Sequence, residues 1–453
     1  MRRHLSIVLV LLCLMSRAQA GGDTYWTADA QAPAAWAQAG NWSNGVPTSG
    51  IDSLCAFAYI DNGGTALVAG NTAVAHLLRV GYFNSGNLHQ SDGVFSPTYL
   101  YIADRAGSQG LVTYDGTSSS HIYTNMLVVG AAGAGRFVQT GGDLYSHEEI
   151  YVGNSQGGTG VLEMSGSSTV RTDWQVRVGY DGTGTFTQSG GQAQAYYGMQ
   201  LGYQLHGRGS YSISDGNFVA TYGEADTYIG YLGQGEVHQT GGHIDFGKRT
   251  FVGLQPGSIG TIEKTTGSLY SDEFYVGYYG QGSVIQSGGS TSTASTFAIG
   301  NDGNGVYDIS GGAMSVGGKL YVGIHGSATL KVSGGDPNLH AGSYSQGPLG
   351  LLVSQLQNNG LSLLKVAGAA QLDGTWQILD DNAPFGTFDV LEATGGISGS
   401  FDSVMLPSDQ WSWGMNSTKL WIEHVPEPLS ISLMIGGCAM LAVFRRRSCA
   451  PGQ

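Results

Sequence analysis

Apolar positions along this chain repeat with two superposed periods, one of two residues and one of roughly two dozen. An apolar residue followed by Gly or Ala stands at Val80, Ile102, Val129, Val152, Val178, Leu201, Ile229, Val252, Val276, Ile299 and Val322, at intervals of 22 to 28 residues. Two positions before each stand Leu78, Leu100, Leu127, Ile150, Val176, Met199, Thr227, Thr250, Phe274, Phe297 and Leu320. Residues at i and i+2 share one face of a strand, so each pair predicts a short strand with its apolar side inward. A second column, running from Leu88, Val112 and Phe137 to Tyr307 and Leu330, predicts another inward-facing strand in every repeat. Gly-rich turns such as Asp181-Gly182-Thr183-Gly184 join them, since Gly accepts positive φ without strain. Nothing in the pattern has helical spacing. The expectation is an all-β parallel β-helix, a β-solenoid of about eleven coils stacked at ~4.8 Å, with β-rich caps at both ends.

One column inside the repeat alternates. Two residues past the second inward position stand Gln90, Tyr114, Gln139, Met164, Gln188, Ile213, Gln239, Lys264 and Gln286, so the true unit is a pair of coils. A row of amides either faces a ligand or satisfies backbone groups at a corner of the coil. The second is the expectation on hydrogen-bonding grounds alone.

The pattern divides the chain into residues 1–20, an atypical stretch 21–75, repeats 76–345, a stretch of different texture 346–425, and a tail 426–447. Arg2-Arg3, the apolar run Leu5 to Met15 and Ala18-Gln19-Ala20 before Gly21 form a signal peptide, with Ala18, Ala20 and Gly21 as the cleavage site for signal peptidase. Trp26, Trp36 and Trp42 cluster in the second stretch, as expected of a cap over the open end of a solenoid core. Within the repeats Tyr101, Tyr151, Tyr228, Phe251, Tyr275 and Tyr321 fall between two inward residues, which points them outward. Such a column either stacks on itself as a ladder or offers ring faces to sugars, making these six the candidate glycan-facing residues.

Charge narrows the partners. The formal net charge of the whole chain is −14, with 19 basic and 33 acidic residues. Arg2, Arg3, Arg17 and Arg445–Arg447 lie in terminal segments without acids, which leaves the body at a formal −20 (13 basic less 33 acidic). That disfavours nucleic acid and anionic lipid as partners of the body. Of the four cysteines, Cys13, Cys438 and Cys449 are terminal and only Cys55 lies in the body, so neither an internal disulfide nor a cysteine zinc site is expected.

Catalysis and cofactors find no foothold in the pattern. His147-Glu148-Glu149 sets His147 and Glu149 on one strand face, and Asp272-Glu273 stands at a related position. Yet no acidic cluster recurs in adjacent coils, as a polysaccharide lyase or hydrolase would need. The eleven histidines lack metal-ligand spacing. No catalytic residue, metal or cofactor is expected.

The tail carries the most specific signal. Val425-Pro426-Glu427-Pro428 is followed by uncharged residues 429–444 and then Arg445-Arg446-Arg447. The apolar stretch 429–444 is expected to form a short transmembrane helix, just under the ~20 residues that usually span a bilayer, with the arginines on the cytoplasmic side. This arrangement resembles the PEP-CTERM sorting signal of exported bacterial proteins. The opening around Gly40-Asn41-Trp42 resembles the N-termini of large secreted bacterial proteins. The run from Gly386-Thr387-Phe388-Asp389 to Trp421 resembles the closing portion of autotransporter-like β-helix passengers. The resemblance implies an exosortase-like processing enzyme as partner, transient anchoring in the inner membrane, and delivery to the cell surface or extracellular matrix. The expected role is structural or adhesive, with exopolysaccharide as a possible ligand. The alternatives are a carbohydrate-active β-helix enzyme and a spacer without ligand.

Overall fold

In the computed structural model, which describes residues 22–29, 32–49, 56–70 and 72–426, the chain is a parallel β-solenoid of about 14 turns. Each full turn contributes to three ladders. The first contains the Val-Gly steps and begins where Thr24–Tyr25 pairs with Phe57–Ile60. It continues unbroken in parallel register to Ile397–Gly399. The second runs from Ala34–Ala35 against Thr65–Val68 to Thr375–Asp380 against Ser403–Met405. The third starts within Thr72–Val80 and ends on Gly386–Ala393. At ~4.8 Å per turn the rod is on the order of 65 Å long.

The expectation of eleven coils is thereby corrected. Turns outside 76–345 keep the inward residues but lose the glycine that follows them, as at Ile60-Asp61 and Leu372-Asp373, or replace the apolar residue, as at Gln346-Gly347. The third ladder escaped the sequence pattern because its inward residues are often small or polar. Ala193, Ser271 and Thr291 stand there beside Leu144 and Phe218, all buried. Parallel stacking stops only near residue 400. There Lys419–His424 runs antiparallel to Gly386–Ala393, and Trp411–Met415 antiparallel to Lys419–His424.

One continuous apolar core fills the rod from Trp26 to Ile422. At its N-terminal end Trp36 sits edge-on to Trp42 at 4.8 Å and to Phe95 at 5.4 Å, and Trp42 Nε1 donates to the Trp36 carbonyl at 2.9 Å. Trp26, edge-on to Trp42 at 4.9 Å, completes the cluster.

The amide row lies inside, at the corner between the second and third ladders. Gln188 Nε2 donates to the carbonyls of Gly191 (3.2 Å) and Asn217 (3.0 Å). Gln239 does the same with Gly242 (3.3 Å) and Ser268 (2.9 Å). The first acceptor belongs to the glutamine's own turn and the second to the next turn. One amide therefore serves two turns, which explains the two-coil repeat: the intervening turn has its carbonyl satisfied already and is free to carry Met164 or Ile213.

Lys264 occupies one of these intervening positions and is buried, and among the described residues no carboxylate pairs with it. Its ammonium donates to Gln239 Oε1 (2.9 Å) and to the carbonyls of Thr266 (3.0 Å) and Gly267 (2.7 Å). Burial pushes it down to about 8. Between there and its ordinary value of 10.5 the unfolded chain holds a proton that the folded chain has released. Stability therefore rises with pH across that window and is flat below it, where both states are protonated. Lys264→Met, which copies the turn of Met164, should remove the rise. Urea midpoints of parent and variant at pH 7 and 9.5 test this in the difference between the two chains, where the buried tyrosines, common to both, cancel.

Candidate functional site

Strand alternation sends one residue of each first-ladder strand outward, and parallel register lines these up. The row reads Arg79, Tyr101, Val128, Tyr151, Arg177, Gln200, Tyr228, Phe251, Tyr275, Ala298 and Tyr321. All six sequence-predicted aromatics stand in it, but not as an open platform. Tyr151 and Phe251 are buried by their neighbours, and Tyr101, Tyr228, Tyr275 and Tyr321 are half-buried. Phe251 stacks on Tyr275 at 5.1 Å and 10°, and on Tyr228 at 5.8 Å and 28°. Along this stretch the rings cover each other's faces, and the Tyr228 and Tyr275 hydroxyls donate to Asp226 and Glu273.

A second aromatic row, which the sequence reading missed, flanks the first at the corner after the glycine. Tyr180, Tyr203 and Tyr231 stack there, 5.4 Å and 4.5 Å apart with planes within 11°. Tyr278 meets Phe251 and Tyr275 edge-on at 5.2 and 5.3 Å. Its signal was present as the recurring step Val178-Gly179-Tyr180, Leu201-Gly202-Tyr203, Ile229-Gly230-Tyr231 and Val276-Gly277-Tyr278. The Arg177 guanidinium lies 5.3–5.4 Å from the rings of Tyr151, Tyr180 and Tyr203, a cation held by three π faces.

Charged groups on this face are largely paired. Glu149 lies 3.4 Å from Arg177. Asp226 takes both Arg249 nitrogens at 2.7 and 2.8 Å. Glu273 accepts from the Tyr275 hydroxyl at 2.8 Å. Burial, aided by Asp104, pushes the Tyr101 phenol up to about 12, and burial with Asp226 raises that of Tyr228. These phenols stay protonated donors at any physiological pH. Burial, then the neighbouring Glu149, raises Glu148 above the usual carboxylate range.

The structure does not bring the candidate acids together. Five turns separate the first-ladder strands that follow Glu149 and Asp272, a rise of ~24 Å, whereas glycosidase carboxylates stand about 5–9.5 Å apart. Asp272 is ion-paired with Lys248, and His147 faces Asp173 at 3.4 Å. Among the described residues no group of His, Cys, Asp and Glu has the arrangement to hold a metal.

Val425 and Pro426 end the described chain, the Val425 amide donating to the Gln410 carbonyl at 3.0 Å. Glu427, Pro428, the apolar stretch 429–444 and Arg445–Arg447 lie outside the described residues, as do Ala18, Ala20, Gly21 and the four cysteines. Among the described residues no helix is long and apolar enough to cross a membrane. Compared with protein-family models, curated proteins and solved structures, the chain matches none.

Proposed function

We propose that this chain is a non-enzymatic, exported bacterial rod that works as a structural or adhesive component of the cell surface or extracellular matrix and holds exopolysaccharide. The observation that carries this reading is the aromatic face. Two adjoining rows of tyrosine and phenylalanine run along one side of a rigid solenoid, with an arginine among them and carboxylates at their edge. Export follows from the signal peptide and sorting from the PEP-CTERM-like tail. The implied partners are signal peptidase, an exosortase-like enzyme acting near Val425-Pro426-Glu427-Pro428, and the inner membrane in transit. The separation of Glu149 from Asp272 and their pairing with Arg177 and Lys248 support a binding role over hydrolysis.

Purified full-length chain in mild detergent, mixed with the exopolysaccharide of its host, tests the reading. Protein should partition into the polysaccharide pellet without release of soluble oligosaccharide. Tyr228→Ser and Tyr275→Ser combined should lower the retained fraction at least tenfold. Steady release of oligosaccharide would replace binding with catalysis, and absence of both retention and release would leave a spacer.

A further inference from the structure

A third aromatic group lies away from the two rows, at the corner where each turn passes from the third ladder to the first. Three consecutive turns set Trp174, then Tyr196 and Tyr197, then Tyr222 one above another. Backbone bonds from Tyr197 to the Trp174 carbonyl (3.0 Å) and from Tyr222 to the Tyr196 carbonyl (2.9 Å) hold them in place. The rings touch as a cluster: Trp174 to Tyr197 at 5.3 Å, Tyr197 to Tyr222 at 5.2 Å, and Tyr196 to Tyr222 at 4.9 Å. Tyr196 and Tyr222 remain open, 39% and 37% exposed, while Trp174 and Tyr197 are half-buried.

Their surroundings are net acidic. The same corner on these turns and the turn before holds Glu148, Glu149, Asp173 and Glu224, against the guanidinium of Arg177, and Lys248 on the turn after Glu224 is paired with Asp272 while also feeling Glu224. The Arg177 guanidinium is taken up by Glu149, by the Tyr151 hydroxyl (3.0 Å) and by Gln175 Oε1 (2.9 Å). Open π faces ringed by carboxylates are the chemistry that recognises an organic cation with an apolar body. An acidic polysaccharide would be repelled here, and a neutral one would gain nothing from the carboxylates.

We propose that this corner is a binding site for a polysaccharide bearing free amino groups. The rings of Trp174, Tyr196, Tyr197 and Tyr222 take the apolar face of a pyranose, while Glu224, Asp173 and Glu148 attract its ammonium groups. This rests on the glycan-binding reading above and assigns it a ligand class and a second location.

The probe is a partly deacetylated β-1,4-glucosamine polymer, compared with its fully N-acetylated form and with the host exopolysaccharide, all mixed with full-length chain. Any acidic protein is drawn to a polycation, so the substitutions that leave charge unchanged carry the test. Tyr197→Ser with Tyr222→Ser should lower retention on the amine polymer at least tenfold, Tyr222→Phe should retain it, and Glu224→Gln should lower it several-fold. Unfolding midpoints within error of the parent chain show that each variant is folded. Equal retention on the N-acetylated polymer, or undiminished retention by the double serine variant, overturns the proposal. Retention on exopolysaccharide with none on the amine polymer overturns it too while leaving the broader reading in place; retention on neither removes both.

Discussion

Gly277→Val should cost about 2–5 kcal/mol. Gly277 has φ +71°, and a Cβ there would stand 2.1 Å from the Asn304 carbonyl oxygen of the next turn. The cost therefore has two parts. Holding an L-residue in the left-handed region costs ~1–2 kcal/mol, more when it is β-branched, and forcing atoms against fixed backbone costs ~1–3 kcal/mol. Gly257 separates the two. It has φ +85° but open space where a Cβ would go, so Gly257→Val should show the conformational part alone. Ala103, with φ 56°, shows that a methyl group is accommodated at this corner when the neighbouring turn gives way; an isopropyl group asks for more. Hydrogen exchange locates the damage. The Gly277 amide bonds to the Val252 carbonyl and the Gly300 amide to that of Val276, both at 2.8 Å. Protection should fall at these amides in Gly277→Val and stay in Gly257→Val. Equal urea midpoints for the two variants would sink the clash argument.

Gln286→Leu should destabilise the rod by a similar amount, about 3–6 kcal/mol, although leucine has nearly the right size for the site. The Gln286 side chain makes four bonds in the core. It donates to the carbonyls of Gly289 (3.2 Å) and Ala313 (3.0 Å), and it accepts from the hydroxyls of Tyr307 (2.6 Å) and Thr291 (2.8 Å). Leucine leaves two buried hydroxyls and two carbonyls without this partner, and each orphaned group costs ~1–3 kcal/mol. Removing one orphan should recover part of the loss. Tyr307→Phe should destabilise the parent chain but be neutral or stabilising in the Gln286→Leu background, a coupling of about 1–2 kcal/mol in a double-mutant cycle. An unchanged urea midpoint for Gln286→Leu, or strict additivity, would show that the corner amide is dispensable.

Both experiments probe features that the sequence displays openly. The Val-Gly step is legible because steric exclusion at the corner admits almost nothing but glycine, so the same residue returns turn after turn. The alternating glutamine is legible for a related reason, since one amide spans two turns and is needed only at every second one. Inward positions such as Leu78, Val80 and Val276 are legible because water exclusion imposes an apolar residue on each strand. These local constraints determine an all-β repeat, its two-coil unit and two of its three ladders.

Tertiary structure decided the rest. The count of about 14 turns rather than eleven depends on whether strands pair, and pairing survives loss of the glycine at Ile60-Asp61 and Leu372-Asp373 because the backbone ladder does not read side chains. The third ladder was hidden because its inward sites accept small and polar residues. Whether an outward tyrosine is open or covered is fixed by residues one turn away: Tyr151 and Phe251 are buried by theirs, while Tyr196 and Tyr222 stack on each other and stay exposed. The fate of the acids was set the same way, Glu149 meeting Arg177 and Asp272 meeting Lys248 across turns. The ring cluster around Trp174 is assembled from corners of unequal length, which no fixed period aligns. A residue's own strand position follows from its neighbours in the chain, but its exposure and its partners follow from the next turn of the solenoid.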